Sequence, residues 1–357
     1  MTKVSVMMLS YNRLAFSQAT VKYLFEGLDY PIEKFVWVDN GSTDGTVVWA
    51  KQFLTDLPNQ NSFVKSTEFI ENEINKGIAV GQNQGAKACA EDSDVVMVSN
   101  DIFAGKNWLS PLVKCVERHR DLGIQLGWVS PYMAPEHQFD DHCNEKFRKD
   151  YFDYWYRRIL NCNDPDSLYA IMDELYQGDF QAFSQEFVKR NAGKIWDEAV
   201  SMMFYWTREA INEVGYFDER FSEFYGHGGW GSEDVDLMVR MNAKRFFRLT
   251  CFDSWVHHVI CATTRKIVLD SSEFAYGDIE TGNKFLRLWC PIPNQTPVYY
   301  PLDIIPQASK RAYDTWLRRK HNLDFGDLTK LDLGLTKEEQ ETINKTERES
   351  QGVCDSK

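Results

Sequence analysis

The sequence predicts an α/β fold in which a mostly parallel sheet is flanked by helices, and three observations support this prediction. Short apolar runs alternate with segments of helical spacing through the first hundred residues. These runs are apolar on both faces, which is typical of parallel strands covered by helices. Polar, glycine-containing segments follow the runs, as expected for turns at the carboxyl edge of such a sheet.

The predicted elements follow one another in regular order along this half of the chain. The predicted strands are residues 4–9, 35–38, a weaker 69–70, and 95–98. Helices are predicted over residues 14–28 and 46–57, and the second should stop before Pro58. A third helix is predicted to follow the glycine-rich segment that begins at residue 75 and to continue through residue 89. With right-handed crossovers, the polar segments 10–13, 39–45 and 99–101 should meet at one edge of the sheet.

The composition changes along the chain and suggests four parts. Residues 1–134 and 198–265 read as the two halves of one α/β domain. Between them, residues 135–197 read as an aromatic and charged helical insert, with helical spacing over 147–160 and 167–187. Residues 266–357 form a mixed C-terminal extension with a helix at 309–321, a capping box of Thr336 and Glu339, and a tail expected to be disordered from about residue 345.

Composition and charge exclude several protein classes. The chain has 357 residues with a net charge of −13, and its 11 Trp, 16 Tyr and 23 Phe exclude disorder throughout. The negative charge disfavours a general nucleic-acid binder. No apolar run has the length of a signal peptide or of a membrane span. The 8 Cys contain no CxxC pair, so reduced thiols and a cytoplasmic location are expected.

One glycine-rich segment, residues 226–237, carries the most distinctive chemistry. Trp230 lies among four glycines and offers a flat apolar face on which a sugar ring can stack. Glu233 and Asp234 follow at the expected start of a helix, where either carboxylate can accept hydrogen bonds from sugar hydroxyls and one can act as a general base. Acidic residues are also favoured at helix N-termini by the macrodipole, an explanation that accounts for the acids but not for the glycine–tryptophan loop.

Taken together, the ordered motifs resemble glycosyltransferases of the GT-A fold, most closely the inverting family 2. The segments that carry the resemblance are residues 4–12, 36–45, 75–85, 95–101, 215–221 and 229–237, followed by a histidine at 257 or 258. The Gly-Trp-Gly-Ser-Glu-Asp run is also similar to the acceptor loop of β-1,4-galactosyltransferases. The order covers about residues 3–262 and is interrupted by the helical insert. The resemblance implies that residues 1–134 are the nucleotide-sugar-binding half of a GT-A (Rossmann-like) domain and that residues 198–265 are its acceptor-binding and catalytic half.

The resemblance implies a role for each site residue. Asp101 corresponds to the last acid of the family's DxD element, in which Ser99 replaces the first acid. Asp101 and His258, or His257 in its place, are therefore the expected ligands of a divalent cation, Mn²⁺ or Mg²⁺. The residues expected to bind the nucleotide-sugar are Ser10, Tyr11, Asn12, Arg13, Asp39, Asn83 and Asn100, with Lys76 as a further source of positive charge.

The acceptor would lie against Trp230, Gly231 and Glu233, with Asp234 as the base that removes its hydroxyl proton. Asp236 should be structural, because the helix turns it away from its neighbours. Asp44 is expected to be a turn residue.

The sequence therefore predicts a cytoplasmic, metal-dependent glycosyltransferase that moves a sugar from a nucleotide-diphospho-sugar to an acceptor hydroxyl. Carbohydrates are the expected acceptors. Inversion follows from in-line attack, and retention is the alternative within the same class. Three other interpretations stay open at this point: transfer to a modified DNA base, a non-catalytic carbohydrate-binding protein, and a sugar-1-phosphate nucleotidyltransferase. The last is the poorest match, because Ser10-Tyr11-Asn12-Arg13 lacks the expected glycine-rich loop.

Overall fold

The computed structural model describes residues 1–135, 150–196, 199, 202–219 and 233–259, and this part of the chain forms one central sheet flanked by helices. The strands are β1 Val4–Ser10, β2 Phe35–Asp39, β3 Thr67–Glu71, β4 Asp94–Ser99, β5 Ile102–Ala104, β6 Leu126–Ala134, β7 Ile195–Trp196, β8 Met203–Trp206 and β9 Phe247–His258. The α-helices are α1 Leu14–Glu26, α2 Thr46–Gln60, α3 Ile78–Ala88, α4 Leu109–Asp121, α5 Tyr156–Leu160, α6 Pro165–Leu175, α7 Phe180–Asn191, α8 Arg208–Val214 and α9 Glu233–Ala243.

The sheet confirms the predicted fold class. Its strand order is β3-β2-β1-β4-β8-β6-β9-β5, and β7 pairs with β9 beside this path. The four strands β3, β2, β1 and β4 are parallel to one another, as the alternating sequence pattern predicts. Beyond β4 the sheet is mixed, because β8 is antiparallel to β4 and β6, whereas β6 and β9 are parallel.

Side chains of β1 alternate between two apolar layers, which explains why the run from Val6 to Leu9 is continuously apolar. Val6 and Met8 pack on the layer that includes residues of α1, α2 and α4. Met7 points to the opposite layer, which includes Ala86 of α3 and Leu237 of α9. Both layers are buried, so β1 lies in the middle of the sheet with helices on both faces.

One predicted helix boundary is wrong. Helix α2 was expected to end before Pro58, yet it continues to Gln60 with Pro58 inside. Proline lacks the N–H that would bond to the carbonyl of Leu54, four residues earlier. The hydroxyl of Thr67 in β3 donates a hydrogen bond to that carbonyl at 3.1 Å, so the oxygen that proline leaves without an intrahelical donor is satisfied by the neighbouring strand.

The described part of the insert is helical, with two differences from the predicted spans. A π-helical turn, Tyr151–Trp155, leads into α5. The single span predicted over 167–187 is divided into α6 and α7 at Gly178, which adopts a φ of 99° that favours glycine. Asp164 and Asp179 cap these two helices with their carboxylates. The predicted helix at 309–321, the capping box at Thr336 and Glu339, and the tail lie outside the described residues, and the four-part division of the chain stays a prediction.

Candidate active site

The polar segments that follow β1, β2 and β4 meet at the carboxyl edge of the sheet. Strand β1 lies between β2 and β4, with Ser10 opposite Asp39 and Leu9 opposite Ser99 in the two ladders. Asn100 and Asp101 follow Ser99 directly. The parallel register therefore brings together three segments that are separated by up to about ninety residues in sequence, as the strand–helix alternation predicts.

Asp39 lies at the centre of this edge, with a buried carboxylate that accepts several hydrogen bonds. The hydroxyls of Ser10 and Ser42 donate to Oδ2 at 2.8 and 2.7 Å, and the backbone N–H of Ser42 donates to Oδ1 at 2.8 Å. The indole of Trp37 donates in turn to the hydroxyl of Ser10 at 2.8 Å. Asp39 is thus held in one orientation, and a carboxylate has lone pairs for further donors such as ribose hydroxyls or a base imino group.

Asn40 organises the loop beside Asp39, and sequence reasoning did not single it out. Its amide nitrogen donates to Oδ1 of Asn75 at 2.8 Å and to the carbonyl of Gly77 at 3.1 Å. Its amide oxygen accepts from the side chain of Asn72 and from the backbone N–H of Lys76, each at 3.1 Å. Asn40 therefore fixes the loop that leads into α3. Its position directly after a site carboxylate was the only signal in the sequence.

The β1–α1 loop presents Tyr11, Asn12 and Arg13 at the same edge. Asn12 and Arg13 have φ values of 55° and 64°, in the left-handed region. The N–H of Asn12 donates to the hydroxyl of Ser42 at 2.6 Å, and Oδ1 of Asn12 accepts from the N–H of Thr43 at 2.9 Å. This loop and the β2–α2 loop therefore form one hydrogen-bonded unit. Tyr11 is half-buried in it.

Arg13 connects the β1–α1 loop to the insert. Its buried guanidinium lies 3.9 Å from the ring of Phe16 and donates to the carbonyl of Leu160 at 3.1 Å. Leu160 is the last residue of α5. The positive charge of Arg13 is consequently held at the junction between the loop and the insert.

The two asparagines of the predicted site are engaged by the protein itself. Asn100 donates to the carbonyl of Asn12 at 3.2 Å and to the hydroxyl of Ser17 at 3.0 Å, and so joins the end of β4 to the β1–α1 loop. Asn83, in α3, donates to the carbonyl of Phe217 and accepts from its N–H, at 2.9 and 3.0 Å. It also donates to the carboxylate of Glu219 at 2.9 Å. These contacts show how both amides position the loops; their contact with a nucleotide-sugar stays a prediction.

Asp101 and His258 lie together at the end of the sheet. Ile102 of β5 pairs with His258, and the N–H of Val259 donates to the carbonyl of Asp101 at 3.0 Å. Nε2 of His258 lies 3.7 Å from Oδ1 of Asp101. Within the described residues no hydrogen-bond donor meets this buried Oδ1. A carboxylate oxygen and an imidazole nitrogen in this arrangement fit a divalent cation, although no set of three or more His, Cys, Asp or Glu ligands occurs in the described ranges.

His257 points into the insert rather than toward Asp101, which distinguishes the two histidines left open by the sequence. Its ring is fully buried, with Nδ1 2.7 Å from the hydroxyl of Tyr176 and Nε2 3.3 Å from that of Tyr151. Burial, and secondarily the neighbouring His258, lower the pKa of His257 to about 3. His257 is therefore a neutral, packed side chain, and His258 is the histidine beside Asp101.

Helix α9 begins at Glu233, as predicted, and carries Glu233, Asp234 and Asp236 in its first turn. Glu233 is buried and Asp234 is half-buried. Asp236 forms an ion pair of 2.7 Å with Arg240, which also donates to the carbonyls of Val214 and Tyr216. Asp236 thus orients Arg240, which joins α9 to the end of α8 and to Tyr216, in agreement with the structural role expected for Asp236. Trp230 and Gly231 lie outside the described residues, so their acceptor-binding role stays a prediction.

The comparisons with known proteins agree with the resemblance seen in the sequence. Residues 5–172 match the model of glycosyl transferase family 2. Comparison with the curated protein sequences finds no match. No helix in the described part of the chain is both long enough and apolar enough to cross a membrane.

Three solved structures illustrate the structural likeness. The mannosyltransferase PcManGT from Pyrobaculum calidifontis, in complex with GDP-Man and Mn²⁺, has 15% identity and a TM-score of 0.48, with 96% of this chain and 83% of that chain covered. TarS 1-349 from S. aureus has 12% identity and a TM-score of 0.46, over 91% and 77% of the two chains. GalNAc-T7 with UDP, GalNAc and Mn²⁺ has 13% identity and a TM-score of 0.49, over 96% and 54%.

Proposed function

We propose that this chain, a GT-A-fold glycosyltransferase with a family 2 domain at residues 5–172, transfers a sugar from a nucleotide-diphospho-sugar to a carbohydrate hydroxyl, with inversion and with the help of a divalent cation. The observation that carries the proposal is the carboxyl edge of the sheet. There the buried carboxylate of Asp39 and the Asp101–His258 pair lie at the ends of strands in one sheet. The first suits a nucleoside and the second suits the cation that accompanies a diphosphate.

Each group has a defined task in such a transfer. Asp39 binds the nucleoside through hydroxyl or imino donors, in the orientation set by Ser10 and Ser42. Asp101 and His258 would hold Mn²⁺ or Mg²⁺, which stabilises the negative charge that develops on the departing diphosphate. Because Ser99 stands where the DxD element has its first acid, Asp101 is the one carboxylate of this element. A hard cation can complete its coordination with diphosphate oxygens and water.

The acceptor side of the reaction is assigned to the start of α9. Asp234 removes the proton of the acceptor hydroxyl as the new glycosidic bond forms, and Glu233 orients the acceptor. The flat face of Trp230 supports the sugar ring, with Gly231 allowing close approach. In-line attack on the anomeric carbon, opposite the departing diphosphate, inverts its configuration.

The proposal also includes the cytoplasmic location expected from the sequence. The four cysteines in the described part of the chain are free thiols, which fits a reducing compartment.

A nucleotide-sugar screen with two variants tests this function. The full chain is incubated with GDP- and UDP-sugars and Mn²⁺, and release of the nucleoside diphosphate and transfer to oligosaccharides are measured. Asp234→Asn is expected to reduce transfer by about 10²–10⁴-fold with donor affinity nearly unchanged, because only the base is lost. Asp101→Asn is expected to remove the Mn²⁺-dependent part of donor binding.

Asp92→Asn is the matched control, since Asp92 is exposed and pairs with Lys3 on another surface. It should behave as the parent protein in both assays. Unchanged transfer by Asp234→Asn would remove that residue from the role of base. Donor binding that is identical with and without Mn²⁺ would remove the cation from the proposal.

A further inference from the structure

A second concave site lies away from the carboxyl edge, between α4, α7 and β9. It is a groove of about 840 Å³, within the size range of small-molecule sites. Its lining includes Lys114 and Arg118 from α4, Lys189 from α7 and Lys106 from the β5–α4 loop. Cations from three separate elements therefore converge on one cavity, in a chain whose net charge is −13.

The groove is distinct from the candidate active site. Cys251 and Asp253 of β9 contribute to it, whereas His258 lies five residues beyond Asp253 on the same strand. A strand advances about 3.4 Å per residue, so the nearest part of β9 in the groove is roughly 17 Å from His258. A ligand in the groove would consequently not contact the Asp101–His258 pair, and the inference does not depend on the proposed function.

The cations of the groove form no ion pair with a described carboxylate, unlike several lysines elsewhere on the described surface. Lys34, Lys51 and Lys65 each form an ion pair with a glutamate, at 2.6 to 3.0 Å. In the described ranges, no carboxylate lies within 4.0 Å of the charged nitrogens of the four groove cations. These cations therefore form no direct ion pair in the described part of the chain, although Glu117 and Asp121 of α4 lie beside Lys114 and Arg118 on the helix surface.

The two acids that line the groove are already engaged with other donors. Asp29 caps the start of α4, where Oδ1 accepts from the N–H groups of Leu109 and Ser110 at 3.2 and 2.9 Å. Asp253 accepts a hydrogen bond from the N–H of Gly193 at 2.7 Å. These backbone bonds orient both carboxylates without removing their negative charge. The described lining still carries four cationic side chains against two carboxylates, so its formal charge is positive.

The spacing of two cationic side chains on α4 gives an electrostatic reason why an anion would bind in the groove. Lys114 and Arg118 are four residues apart and lie on the same face of the helix, where like charges repel. Lys189 faces the same cavity from α7. An anion between the helices would replace this repulsion with attraction. Arginine in addition offers a planar fork of donors that matches phosphate oxygens.

We propose that this groove, defined by Lys106, Lys114, Arg118 and Lys189, binds a ligand that bears more than one phosphate group. The four cations come from two helices and a loop that line one cavity, which suits several linked anionic groups better than a single one. The phosphates can belong to a free polyphosphate or to a larger phosphorylated compound, and the recognition chemistry is the same.

Titration calorimetry with inorganic tripolyphosphate tests the site on the full chain. EDTA is included so that no divalent cation supports binding at the Asp101–His258 pair. We expect binding of the parent protein at low ionic strength with a dissociation constant below about 1 mM, weakening as salt is added. The double variant Lys114→Gln/Arg118→Gln should lose about tenfold or more in affinity, because two phosphate contacts are removed.

Two further variants of the chain show where the anion binds. Lys51→Gln/Lys65→Gln changes the net charge by the same amount at exposed lysines elsewhere, and it should retain the parent affinity. Asp101→Asn should also retain it. Equal weakening in both double variants would show attraction by overall charge alone and overturn the proposal. A change of affinity in Asp101→Asn, or no binding by the parent protein, would overturn it as well. Pyrophosphate and a nucleoside triphosphate, compared under the same conditions, distinguish a free polyphosphate from a phosphorylated compound.

Discussion

At the scale of single residues, two aspartates of one loop show how similar sequence contexts lead to different roles. Asp39 ends β2 and its carboxylate is held at the site by two serines. Asp44, five residues later, accepts from the N–H groups of Leu14 and Thr46 at the starts of α1 and α2. The sequence predicted that Asp39 lies at the edge of the sheet and that Asp44 is a turn residue, because strand ends form the edge and turns favour aspartate. Contact of Asp39 with a nucleoside stays a prediction. The role of Asn40 was not predictable, since its partners depend on how two loops pack.

These two positions give a matched pair of substitutions. Asp39→Asn replaces an acceptor oxygen with an N–H₂ group that opposes the donors of Ser42, so nucleoside diphosphate affinity should fall by about tenfold or more. Asp44→Asn should leave that affinity nearly unchanged and instead lower the free energy of unfolding by about 1 kcal/mol, the usual effect of a weakened cap. Calorimetric titration and urea unfolding of both variants measure the two quantities. Similar losses of affinity in both would contradict the division of roles.

At the scale of elements, the helical insert is attached to the strand that carries His258. Tyr151, in the π-helical turn, and Tyr176, after α6, reach the two nitrogens of His257, and Phe103 of β5 stacks on the same ring. The sequence predicted that this insert is helical. It could not predict these contacts, because they join residues 81 and 106 positions apart and depend on where each helix ends.

The bond from Tyr176 to His257 should influence cation binding through the adjacent His258. Tyr176→Phe removes the hydroxyl 2.7 Å from Nδ1 of a buried ring, so the end of β9 is held less firmly. We expect Mn²⁺ affinity to fall about threefold to tenfold, measured by electron paramagnetic resonance of free Mn²⁺. Tyr154→Phe is the control, because Tyr154 is exposed and its hydroxyl contacts only Arg158 among the described bonds.

A loss of Mn²⁺ affinity in both variants, or in neither, would show that the insert does not position the cation ligands. Circular dichroism melting of the two proteins separates positioning from unfolding. Tyr176→Phe is expected to bind Mn²⁺ more weakly at temperatures well below its own melting transition, where it is fully folded.

At the scale of the whole molecule, the parallel half of the sheet was predictable and the mixed half was not. Alternating apolar runs and helices specify β1 to β4 with little choice of topology. The antiparallel placement of β8 next to β4 has no such local signal, because the four residues of β8 are all buried and show no alternation. The structure shows a polar contact that accompanies this placement: Asp94, at the start of β4, accepts from the hydroxyl of Tyr205 at 2.6 Å.

Asp94 joins the two halves of the fold, so its substitution should lower global stability. Besides Tyr205, it accepts from the N–H of Arg208 at 2.7 Å and from the guanidinium of Arg120 at 3.1 Å. Asp94→Asn removes the charge and leaves buried donors without acceptors, which should reduce the free energy of unfolding by about 2–4 kcal/mol. Urea unfolding followed by tryptophan fluorescence measures the change. Asp92→Asn, an exposed aspartate two residues earlier, should leave the midpoint nearly unchanged, and equal effects of the two substitutions would refute a central role for Asp94.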